Sequence, residues 1–490
     1  MTDTTHVTAA LDEPVRRLAA ALPPEAVITD PVRLRTYECD GLTHHRAVPG
    51  VVVLPESAEQ VAAVVRICNT YGVPFVARGA GTGLSGGALP RTDGVLIVTS
   101  RMRRVLEVDL PNRRAVVEPG VTNLAITEAV RPHGYYYAPD PSSRQVCTIG
   151  GNVAENSGGA HCLKYGFTVN HVLALEVVTP DGDVVALDAG DPGYDLLGAF
   201  VGSEGTLGIT TKVTVRLLRA PEAVTTLLAA FGSIEQGGRA VSAIIGGGIV
   251  PAAIEMMDAL AIEAAEAAVA CAYPPGAGAV LIVELDGPAA EVAHQFAEVE
   301  RLCRAAGAFE LRTADDPAER AAIWKGRRSA FAAVGRISPA YIVQDGVVPR
   351  TALPGVLAGI DRLSAEHGIR VANVFHAGDG NLHPLVLFDD AEPGAQERAA
   401  AVSGRILDLC VEHGGSITGE HGVGVDKARY MPKMFTDDDL DTMQLLRCAF
   451  DPRGLANPGK VFPTPRLCGE VPGVRRGAHP LVESGRAELF

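Results

Sequence analysis

A glycine-rich stretch at residues 79–87, GAGTGLSGG, constrains the fold of this chain more than any other feature. It lies between two apolar runs, 74–78 and 95–98, which have the composition of short β-strands. Five glycines in nine residues make folding costly in chain entropy, so we expect the backbone of this loop to have a binding or structural role. Because consecutive unhindered N–H groups can surround an anion, the loop predicts a binding site for an anionic ligand.

The spacing Gly81-x-Gly83-x-x-Gly86 also matches the fingerprint of NAD-binding Rossmann domains. That fingerprint must open a helix whose N-terminus receives the pyrophosphate. Here the loop runs through further turn-forming residues directly into the strand predicted at 95–98, so we expect no such helix. An amphipathic helix is predicted before the loop instead, at 56–71, ending at Gly72.

Two more glycine-rich loops are predicted within about 120 residues, at 148–159 and 202–209, and a turn-forming stretch lies at 139–143. Strands are predicted between and after them, for example at 172–179. Several glycine-rich turns in one α+β domain suit an extended ligand that is contacted mainly by backbone. This pattern favours a dinucleotide over a lone phosphate.

Residues 376–383, HAGDGNLH, contain a second informative pattern, because Asp379-Gly380 is a strong signal for a two-residue hairpin turn. A turn centred there places His376 directly opposite His383, with Cβ atoms roughly 4.5–5.5 Å apart. Two imidazoles at that separation can hold one metal ion. The alternative is a purely structural hairpin with Asp379 as a turn former.

A carboxylate and a third histidine, Glu420 and His421, lie in the glycine-rich stretch 414–424. Two histidines and one carboxylate form a ligand set that leaves open positions on Zn, Fe or Mn. Arg327 lies in a helix predicted at 317–334, and its guanidinium could bind a substrate carboxylate in two-pronged fashion. The competing interpretation of Arg327 is a solvated basic helix face.

The second half of the chain predicts an antiparallel sheet with helices on one side. Strands are expected at 223–231 and 279–285, and helices at about 289–306, 317–334, 352–366 and 396–412.

Length and charge exclude several classes of protein. A chain of 490 residues is too long for one core, so two or three domains are expected. The net charge of −15 and the lack of a long basic run argue against nucleic-acid binding and against a polybasic membrane anchor. No apolar run is long enough to span a membrane, and the start lacks a signal-peptide pattern, so a cytoplasmic protein is expected.

The nine cysteines show no C-x-x-C spacing, which predicts reduced thiols and no iron–sulfur cluster.

Taken together, six motifs resemble the vanillyl-alcohol oxidase/para-cresol methylhydroxylase flavoprotein superfamily. Within it they resemble the group of bacterial glycolate oxidase FAD-linked subunits and D-lactate and D-2-hydroxyglutarate dehydrogenases. The motifs lie at 78–87, 140–143, 148–159, 164–166, 202–209 and 457–460. The resemblance implies an α+β fold with a two-subdomain FAD-binding domain and an α+β cap with an antiparallel sheet. The implied divisions are an N-terminal segment 1–45, the FAD domain 46–221, the cap 222–425, a C-terminal segment 426–465 returning to FAD, and a tail 466–490.

The resemblance also assigns FAD contacts to a set of residues in these motifs. They are Arg78, Gly79, Gly81, Thr82, Gly83, Leu84, Ser85, Gly86, Pro139, Asp140, Ser142, Ser143, Thr148, Gly150, Gly151, Asn152, Asn156, Gly158, Gly159, Tyr165, Gly205, Gly208, Ile209, Asn457 and Lys460. Some members attach their flavin through a His or Cys in the first glycine loop. Residues 78–87 contain neither, so FAD is expected to bind non-covalently, with Cys147 and His161 as the nearest alternative attachment points.

The implied function is metal-assisted oxidation of a small (R)-2-hydroxy acid, glycolate or D-lactate, with hydride passing to flavin N5. The implied ligands of the divalent metal are His376, His383 and Glu420, and His421 is the implied base. Arg327 and Asn381 would bind the substrate.

Where D-2-hydroxyglutarate dehydrogenases place polar partners for a second carboxylate, this chain has Phe331 and about Val343, which favours a monocarboxylic substrate. D-2-hydroxyglutarate dehydrogenase remains the alternative within the family. A metal-dependent hydrolase and a non-catalytic flavin-binding subunit are the alternatives from other classes.

Reduced FAD must pass its electrons on. The resemblance implies a second flavin-domain subunit with an iron–sulfur subunit, or a quinone, as acceptor. Such partners would place the protein peripherally at the inner membrane.

Overall fold

The structure is a computed structural model that describes residues 4–314 and 316–463, with side chains from residue 11 onward. The predicted tail 466–490 and Cys468 lie outside the described residues. The chain divides into two compact units. The first comprises the described parts of Met1–Ser157, Phe167–Arg219 and His421–Phe490, and the second comprises Gly158–Gly166 and Ala220–Glu420.

The first unit begins with a four-stranded sheet in which three strands are parallel and the outermost is antiparallel. Across the sheet the strands are Val27–Ile28, Val51–Val53, Val95–Val98 and Phe75–Arg78. The predicted helix is confirmed as Ala58–Tyr71, and it ends at Gly72, whose φ of 66° only glycine adopts readily. Its buried side includes Val61 and Cys68, which form one apolar stripe at helical spacing.

A second sheet of five antiparallel strands completes the two-subdomain architecture of this unit. Across the sheet they are Val105–Asp109, Arg114–Val117, Ile209–Arg216, Val172–Val178 and Val184–Asp188, and a separate pair joins Tyr135–Tyr136 to Leu218–Arg219. The other helices are Thr4–Ala21, Pro31–Leu34, Asn123–Val130, Ile149–Glu155, Leu196–Phe200 and Asp437–Phe450. Short 3-10 turns lie at Pro24–Ala26, Arg35–Tyr37, Thr99–Arg101, Arg131–His133, Thr168–Asn170 and Ala428–Lys433.

The C-terminal segment returns to the four-stranded sheet, as predicted. The Phe75 N–H donates to the Leu455 carbonyl at 2.9 Å, and the Asn457 N–H donates to the Phe75 carbonyl at 2.8 Å. The first glycine loop leads through turns to the strand Val95–Val98 with no helix among residues 79–94, which confirms the rejection of a Rossmann domain.

The stretch 148–159 was predicted as a loop, and that prediction was wrong. Residues Ile149–Glu155 form a helix. Gly150 lies in the first turn of this helix. Glycine is required there because a Cβ would come within 2.6 Å of the Pro119 side chain. The glycines of this stretch thus permit close packing of a helix, a use that sequence cannot distinguish from loop flexibility.

The second unit is built on an eight-stranded antiparallel sheet. Across the sheet the strands are Glu310–Ala314, Ala223–Phe231, Ala279–Gly287, Ala253–Asp258, Val371–His376, Asn381–Phe388 and Ala340–Val343, with Gly346–Val347 also pairing to Asn381–Phe388. Its helices are Cys162–Tyr165, Ile234–Gly246, Ala259–Val269, Ala289–Ala305, Pro317–Val334, Leu353–His367 and Ala395–Glu412, with a 3-10 turn at Arg350–Ala352.

Helices cover both faces of this sheet, so the expectation of helices on one side was wrong. Leu227 packs into one apolar core with Val292 and Val356, whereas Leu228 packs into another with Ile323. Adjacent strand residues point to opposite faces. A strand buried on both faces is nearly continuous in apolar residues, as Ala223–Phe231 is, and therefore lacks the alternation that marks a one-sided sheet.

The hairpin that carries the histidines exists, but its predicted register was wrong. His376 pairs with Asn381, and His383 pairs with Val374. The turn therefore has four residues, 377–380. It is closed by the Gly380 N–H, which donates to the His376 carbonyl at 3.2 Å, and it is held to the neighbouring strand by the Gly378 N–H, which donates to the Ile254 carbonyl at 3.2 Å. The shift is two residues, the period of side-chain alternation, so both histidines still share one face.

The cysteine and membrane expectations have different outcomes. Seven cysteines among the described residues are free. Cys448 is instead disulfide-bonded, which contradicts the expectation of reduced thiols throughout. Within residues 4–314 and 316–463, no helix is both long and apolar enough to cross a membrane.

The turn at Gly380 should be sensitive to a single methyl group. Gly380 has φ of +83°, and a Cβ there would collide with the Val348 carbonyl oxygen. Gly368 has φ of +63° but open space around it, so Gly368→Ala isolates the backbone cost of about 1–2 kcal/mol. We expect Gly380→Ala to lower the free energy of unfolding by at least about 1 kcal/mol more, since the packed turn must move. Urea titrations of the two variants measure this difference, and equal losses would contradict it.

Candidate active site

The predicted FAD residues of the first unit converge on one region. A Cβ on Gly79 would collide with the Thr148 hydroxyl, and Gly205 lies beside the Asn457 amide. The Asn123 amide donates to the Pro139 carbonyl at 3.0 Å and to Asn152 at 3.1 Å, which links the 139–143 turn to the helix Ile149–Glu155. The glycine-rich motifs thus meet in space although they are spread over the sequence.

The Arg78 side chain packs against the first glycine loop at Gly81. Arg78 Nη1 donates to the Cys39 carbonyl at 2.6 Å. A Cβ on Gly81 would collide with this guanidinium, and Gly81 has φ of +71°. Burial lowers the pKa of Arg78, and the nearby Asp40 carboxylate opposes that shift. The arginine therefore places positive charge beside a loop that is predicted to bind an anion.

Two residues of the C-terminal motif fix these loops in place. Asn457 Nδ2 donates to the Gly87 carbonyl at 2.9 Å and to the Glu204 carbonyl at 2.5 Å. Lys460 Nζ donates to the Leu89 carbonyl at 2.9 Å, and burial lowers the pKa of Lys460 to about 8. The motif resembling a flavin-contacting segment thus also ties together the loops of the first unit.

Glu204 anchors the segment that follows His421. Its two carboxylate oxygens accept hydrogen bonds from the Val423 and Gly424 N–H groups, each at 2.7 Å. Sequence reasoning missed this residue and its neighbour Glu155. Both lie inside glycine-rich motifs predicted to hold an anion. A carboxylate is an unfavourable neighbour for an anion, so its presence in such a motif was a usable signal that it binds backbone N–H groups and not the ligand.

The predicted metal ligands His376, His383 and Glu420 come together in the second unit. His376 Nε2 lies 3.1 Å and His383 Nε2 lies 3.2 Å from Oε1 of Glu420. The two imidazole rings are 5.1 Å apart between centroids and nearly perpendicular. Two metal–ligand bonds of about 2.1 Å separate their donor atoms by about 3.0–3.4 Å at octahedral to tetrahedral angles, so the donor set fits a divalent metal ion.

The second nitrogen of each imidazole is held by protein. His376 Nδ1 lies 2.6 Å from Oε1 of Glu255, and His383 Nδ1 lies 3.3 Å from the Gln344 carbonyl oxygen. These contacts leave both Nε2 atoms directed at Glu420, an arrangement typical of histidines that bind metal. Sequence reasoning missed Glu255, although a charged residue in the buried strand Ala253–Asp258 was a usable signal.

Glu420 is oriented by Asp345, a residue that sequence reasoning did not place at this centre. Asp345 Oδ2 accepts from the Thr418 hydroxyl at 2.6 Å and from the N–H groups of Gly419 and Glu420 at 2.8 and 3.1 Å. A Cβ on Gly419 would come within 2.7 Å of the Asn381 side chain. Glycine here allows the Glu420 loop to approach the hairpin closely.

The electrostatics of this centre favour a cation. Burial lowers the pKa of His376, but the carboxylates of Glu255 and Glu420 outweigh it and raise that pKa well above its ordinary value. Burial raises the pKa of Glu420, and the two histidines outweigh it and hold that pKa well below its usual range. Positive charge between the two carboxylates is therefore stabilised, whether a proton or a metal ion carries it.

Arg327 and Asn381 lie at the same centre. Arg327 is only 3% exposed, so the interpretation as a solvated helix face was wrong, and its Nη2 lies 2.6 Å from Oε2 of Glu255. Asn381 is 3% exposed, and its position opposite His376 puts it on the face of the hairpin that carries both histidines. His421 follows Glu420 directly in the chain and belongs to the first unit.

Three other predicted FAD residues, Gly158, Gly159 and Tyr165, belong to the second unit. Their segment is fixed to the strand Ala279–Gly287. His161 Nε2 lies 3.1 Å from Oε1 of Glu284, and the Tyr165 hydroxyl donates to Asp286 at 2.6 Å.

Comparison with known proteins agrees with this geometry. Residues 49–188 match the family model of an FAD binding domain, and residues 220–461 match that of the C-terminal domain of FAD linked oxidases. The chain is 53% identical over 471 residues to the glycolate oxidase subunit GlcD of Escherichia coli K12, covering 96% of this chain and 93% of that protein. It is 32% identical over 461 residues to D-lactate dehydrogenase of Anaerostipes hadrus, covering 92% and 97%.

The solved structure of p-cresol methylhydroxylase with substrate bound superposes with a TM-score of 0.76 at 17% identity, over 92% of this chain and 97% of that one, which shows the shared fold. Fold and family matches together define an FAD-linked oxidoreductase. The chain belongs to the family of FAD-linked oxidases that includes the glycolate oxidase subunit GlcD and D-lactate dehydrogenase. This membership displaces the hydrolase and the non-catalytic subunit as alternatives.

The contact between Glu284 and the segment 158–166 should make stability depend on pH. Burial raises the pKa of Glu284, but His161, Thr226 and Trp324 outweigh it and lower that pKa from 4.5 to about 2. Because the folded state has the lower pKa, the stabilisation is complete above pH 4.5 and is lost as the pH falls through 2. The shift corresponds to about 3 kcal/mol.

We expect the difference in unfolding free energy between wild type and Glu284→Gln to shrink as the pH falls from 7 to 3. Urea titrations at each pH measure it. The exposed Glu310→Gln is the matched control and should show little change. A wild-type advantage over Glu284→Gln that stays constant down to pH 3 would mean that Glu284 is not held as an ion pair.

Proposed function

We propose that this protein oxidises a small (R)-2-hydroxy monocarboxylic acid, glycolate or D-lactate, to the 2-oxo acid with non-covalent FAD as electron acceptor. The observation that carries the proposal is the buried group of two imidazoles and a carboxylate with an arginine beside it. The E. coli and A. hadrus relatives carry the names glycolate oxidase subunit and D-lactate dehydrogenase, which supports this class of substrate.

His376, His383 and Glu420 would hold a divalent metal ion. When bound, such an ion supplies Lewis-acid polarisation of a substrate oxygen. The chain contributes the orientation of the ligands, since Glu255 and the Gln344 carbonyl hold the imidazoles in the tautomer that presents Nε2.

Arg327 and Asn381 would bind the substrate. Arg327 Nε and Asn381 Oδ1 are both buried, and neither has a hydrogen-bond partner among the described residues. A guanidinium N–H donates to a carboxylate, and an amide oxygen accepts from a hydroxyl. A 2-hydroxy acid has both groups on adjacent carbons, so one such molecule could satisfy both atoms.

His421 would remove the proton from the substrate hydroxyl. A neutral imidazole nitrogen is a suitable base near pH 7. Glu204 fixes the backbone two and three residues later, and Asp345 fixes the backbone of the preceding Glu420. When bound, FAD supplies the acceptor for the two electrons and the hydrogen of C2.

The pocket residues favour a monocarboxylate. The Phe331 ring centroid lies 5.8 Å from that of His383, and Val343 is buried, so the polar partners needed by a second carboxylate are missing at these two positions. D-2-hydroxyglutarate oxidation requires such partners and is the less supported alternative.

Electrons would leave through a partner. The cysteines show no spacing for an iron–sulfur cluster, and the E. coli relative is named as a subunit. We infer a second flavin-domain subunit with an iron–sulfur subunit, or a quinone, as acceptor, which would place the protein peripherally at the inner membrane.

A dye-reduction assay tests substrate and base together. Wild-type protein should reduce the dye with glycolate or D-lactate at least about tenfold better than with D-2-hydroxyglutarate, which leaves its second carboxylate unpaired. His421→Ala should lose about 10²–10⁴-fold of this rate while retaining flavin absorbance, since proton transfer is lost and the cofactor site is not. His413→Ala, at a helix end, is the control. Preference for D-2-hydroxyglutarate would refute the substrate assignment, and an unimpaired His421→Ala would refute the base.

Metal analysis tests the ligand set separately. His383→Ala should bind one equivalent of metal fewer than wild type, because it removes one of the three protein ligands His376, His383 and Glu420. His294→Ala, on the exposed side of the helix Ala289–Ala305, should bind metal like wild type. An unchanged number of bound metal ions in His383→Ala would leave the hairpin with a structural role only.

A further inference from the structure

A second cluster of metal-ligand side chains lies in the first unit. His44 and His45 contribute imidazoles, and Asp426 contributes a carboxylate. The Nε2 atoms of both histidines lie 3.6 Å from the same oxygen, Oδ1 of Asp426. The imidazole rings are 4.3 Å apart between centroids. The three donor atoms all lie within 4.8 Å of one another, close enough to share one metal ion.

These distances fit coordination better than hydrogen bonding. An N–H···O hydrogen bond spans 2.7–3.2 Å, and 3.6 Å lies beyond that range. Two donor atoms each about 2.0–2.2 Å from a tetrahedral metal ion are separated by about 3.3–3.6 Å. His45 Nε2 is moreover buried and has no hydrogen-bond partner among the described residues. A buried polar atom needs a partner, and a metal ion held jointly with the carboxylate would satisfy this nitrogen.

The backbone presents these side chains in a fixed arrangement. The His45 N–H closes a turn on the Leu42 carbonyl at 3.3 Å, which brings two consecutive histidines to the same carboxylate. Asp40 Oδ1 braces the turn by accepting from the Leu42 N–H at 2.9 Å. The Asp426 N–H donates to the Ser85 carbonyl at 3.2 Å, so the carboxylate is tied to the first glycine loop.

We propose that His44, His45 and Asp426 bind a second divalent transition-metal ion, separate from the one assigned to His376, His383 and Glu420. Two imidazoles and one carboxylate suit Zn²⁺ and leave at least one position for water. The His45 side chain is 37% exposed, which gives the ion a route of entry. The site joins the N-terminal turn to the segment after the glycine-rich stretch 414–424, so its role is to fasten that segment beside the first glycine loop.

Titration of the FAD-loaded protein with Zn²⁺ tests this proposal in the His383→Ala background, where the other site is disabled. That protein should still bind one equivalent of Zn²⁺, and its thermal unfolding midpoint should rise on Zn²⁺ addition. Adding His44→Ala and His45→Ala should abolish both effects. His133→Ala, in the exposed turn Arg131–His133, is the control and should change neither.

Asp426→Asn guards against misfolding, because it preserves shape while removing the anionic ligand. It should lower Zn²⁺ affinity at least about tenfold with flavin absorbance retained. Binding of one equivalent that survives all three substitutions overturns the proposal, as does a His383→Ala protein that binds none. Neither result bears on hydroxy-acid oxidation by wild type, so failure here is distinguishable from failure of the proposed function.

Discussion

The carboxylate of Glu255 holds two side chains of the second unit on which the proposed chemistry depends, His376 and Arg327. One oxygen lies 2.6 Å from His376 Nδ1 and the other lies 2.6 Å from Arg327 Nη2. Glu255 is 1% exposed, so neither partner is screened by water. Removing one member of such a buried pair typically costs about 3–5 kcal/mol because the other charge is left uncompensated. The orientation of His376, the proposed metal ligand, and the position of the Arg327 guanidinium, proposed to bind substrate, therefore depend on the same carboxylate.

That dependence also limits how the centre can vary. A neutral residue at Glu255 would free His376 to rotate and would leave Arg327 buried without its anion. The antiparallel register supports the arrangement, since Glu255 pairs with His376 across the sheet. A directly opposed pair brings Cβ atoms within about 5.5 Å, close enough for a glutamate to reach an imidazole. The strand register alone thus brings Glu255 within reach of His376.

Sequence reasoning succeeded where a local signal coincided with the final structure. The helix Ala58–Tyr71 has both an apolar stripe and a glycine stop, and the predicted ligands His376 and His383 share a face whichever of the two registers forms. It failed where distant residues decide. The four-residue turn at 377–380 depends on packing against Ile254, and the helix Ile149–Glu155 depends on Pro119. No local pattern contains those contacts.

Glu255 and Asp345 were missed for a related reason. Each is an acidic residue in a short, mostly apolar stretch, and its partners are more than 70 positions away in the sequence. A buried charge must be paired, so its presence in a strand signals a partner, but not which one. Only the sheet order, which places Ala253–Asp258 beside Val371–His376, identifies that partner.

The first unit poses a different electrostatic problem, since it buries Asp40, Glu155 and Glu204 among loops predicted to contact FAD. Burial raises the pKa of all three, and that of Glu155 lies well above its ordinary value because Glu204 and Asp40 add to the effect of burial. Glu204 is further compensated by two backbone N–H groups, and buried Lys460 lies near enough to lower the pKa of Glu204. Asp40 and Glu204 both accept hydrogen bonds from backbone N–H groups and so hold backbone in place. A domain rich in glycine loops can therefore use buried acidic residues as internal braces where backbone N–H groups match the carboxylate, as they do at Glu204.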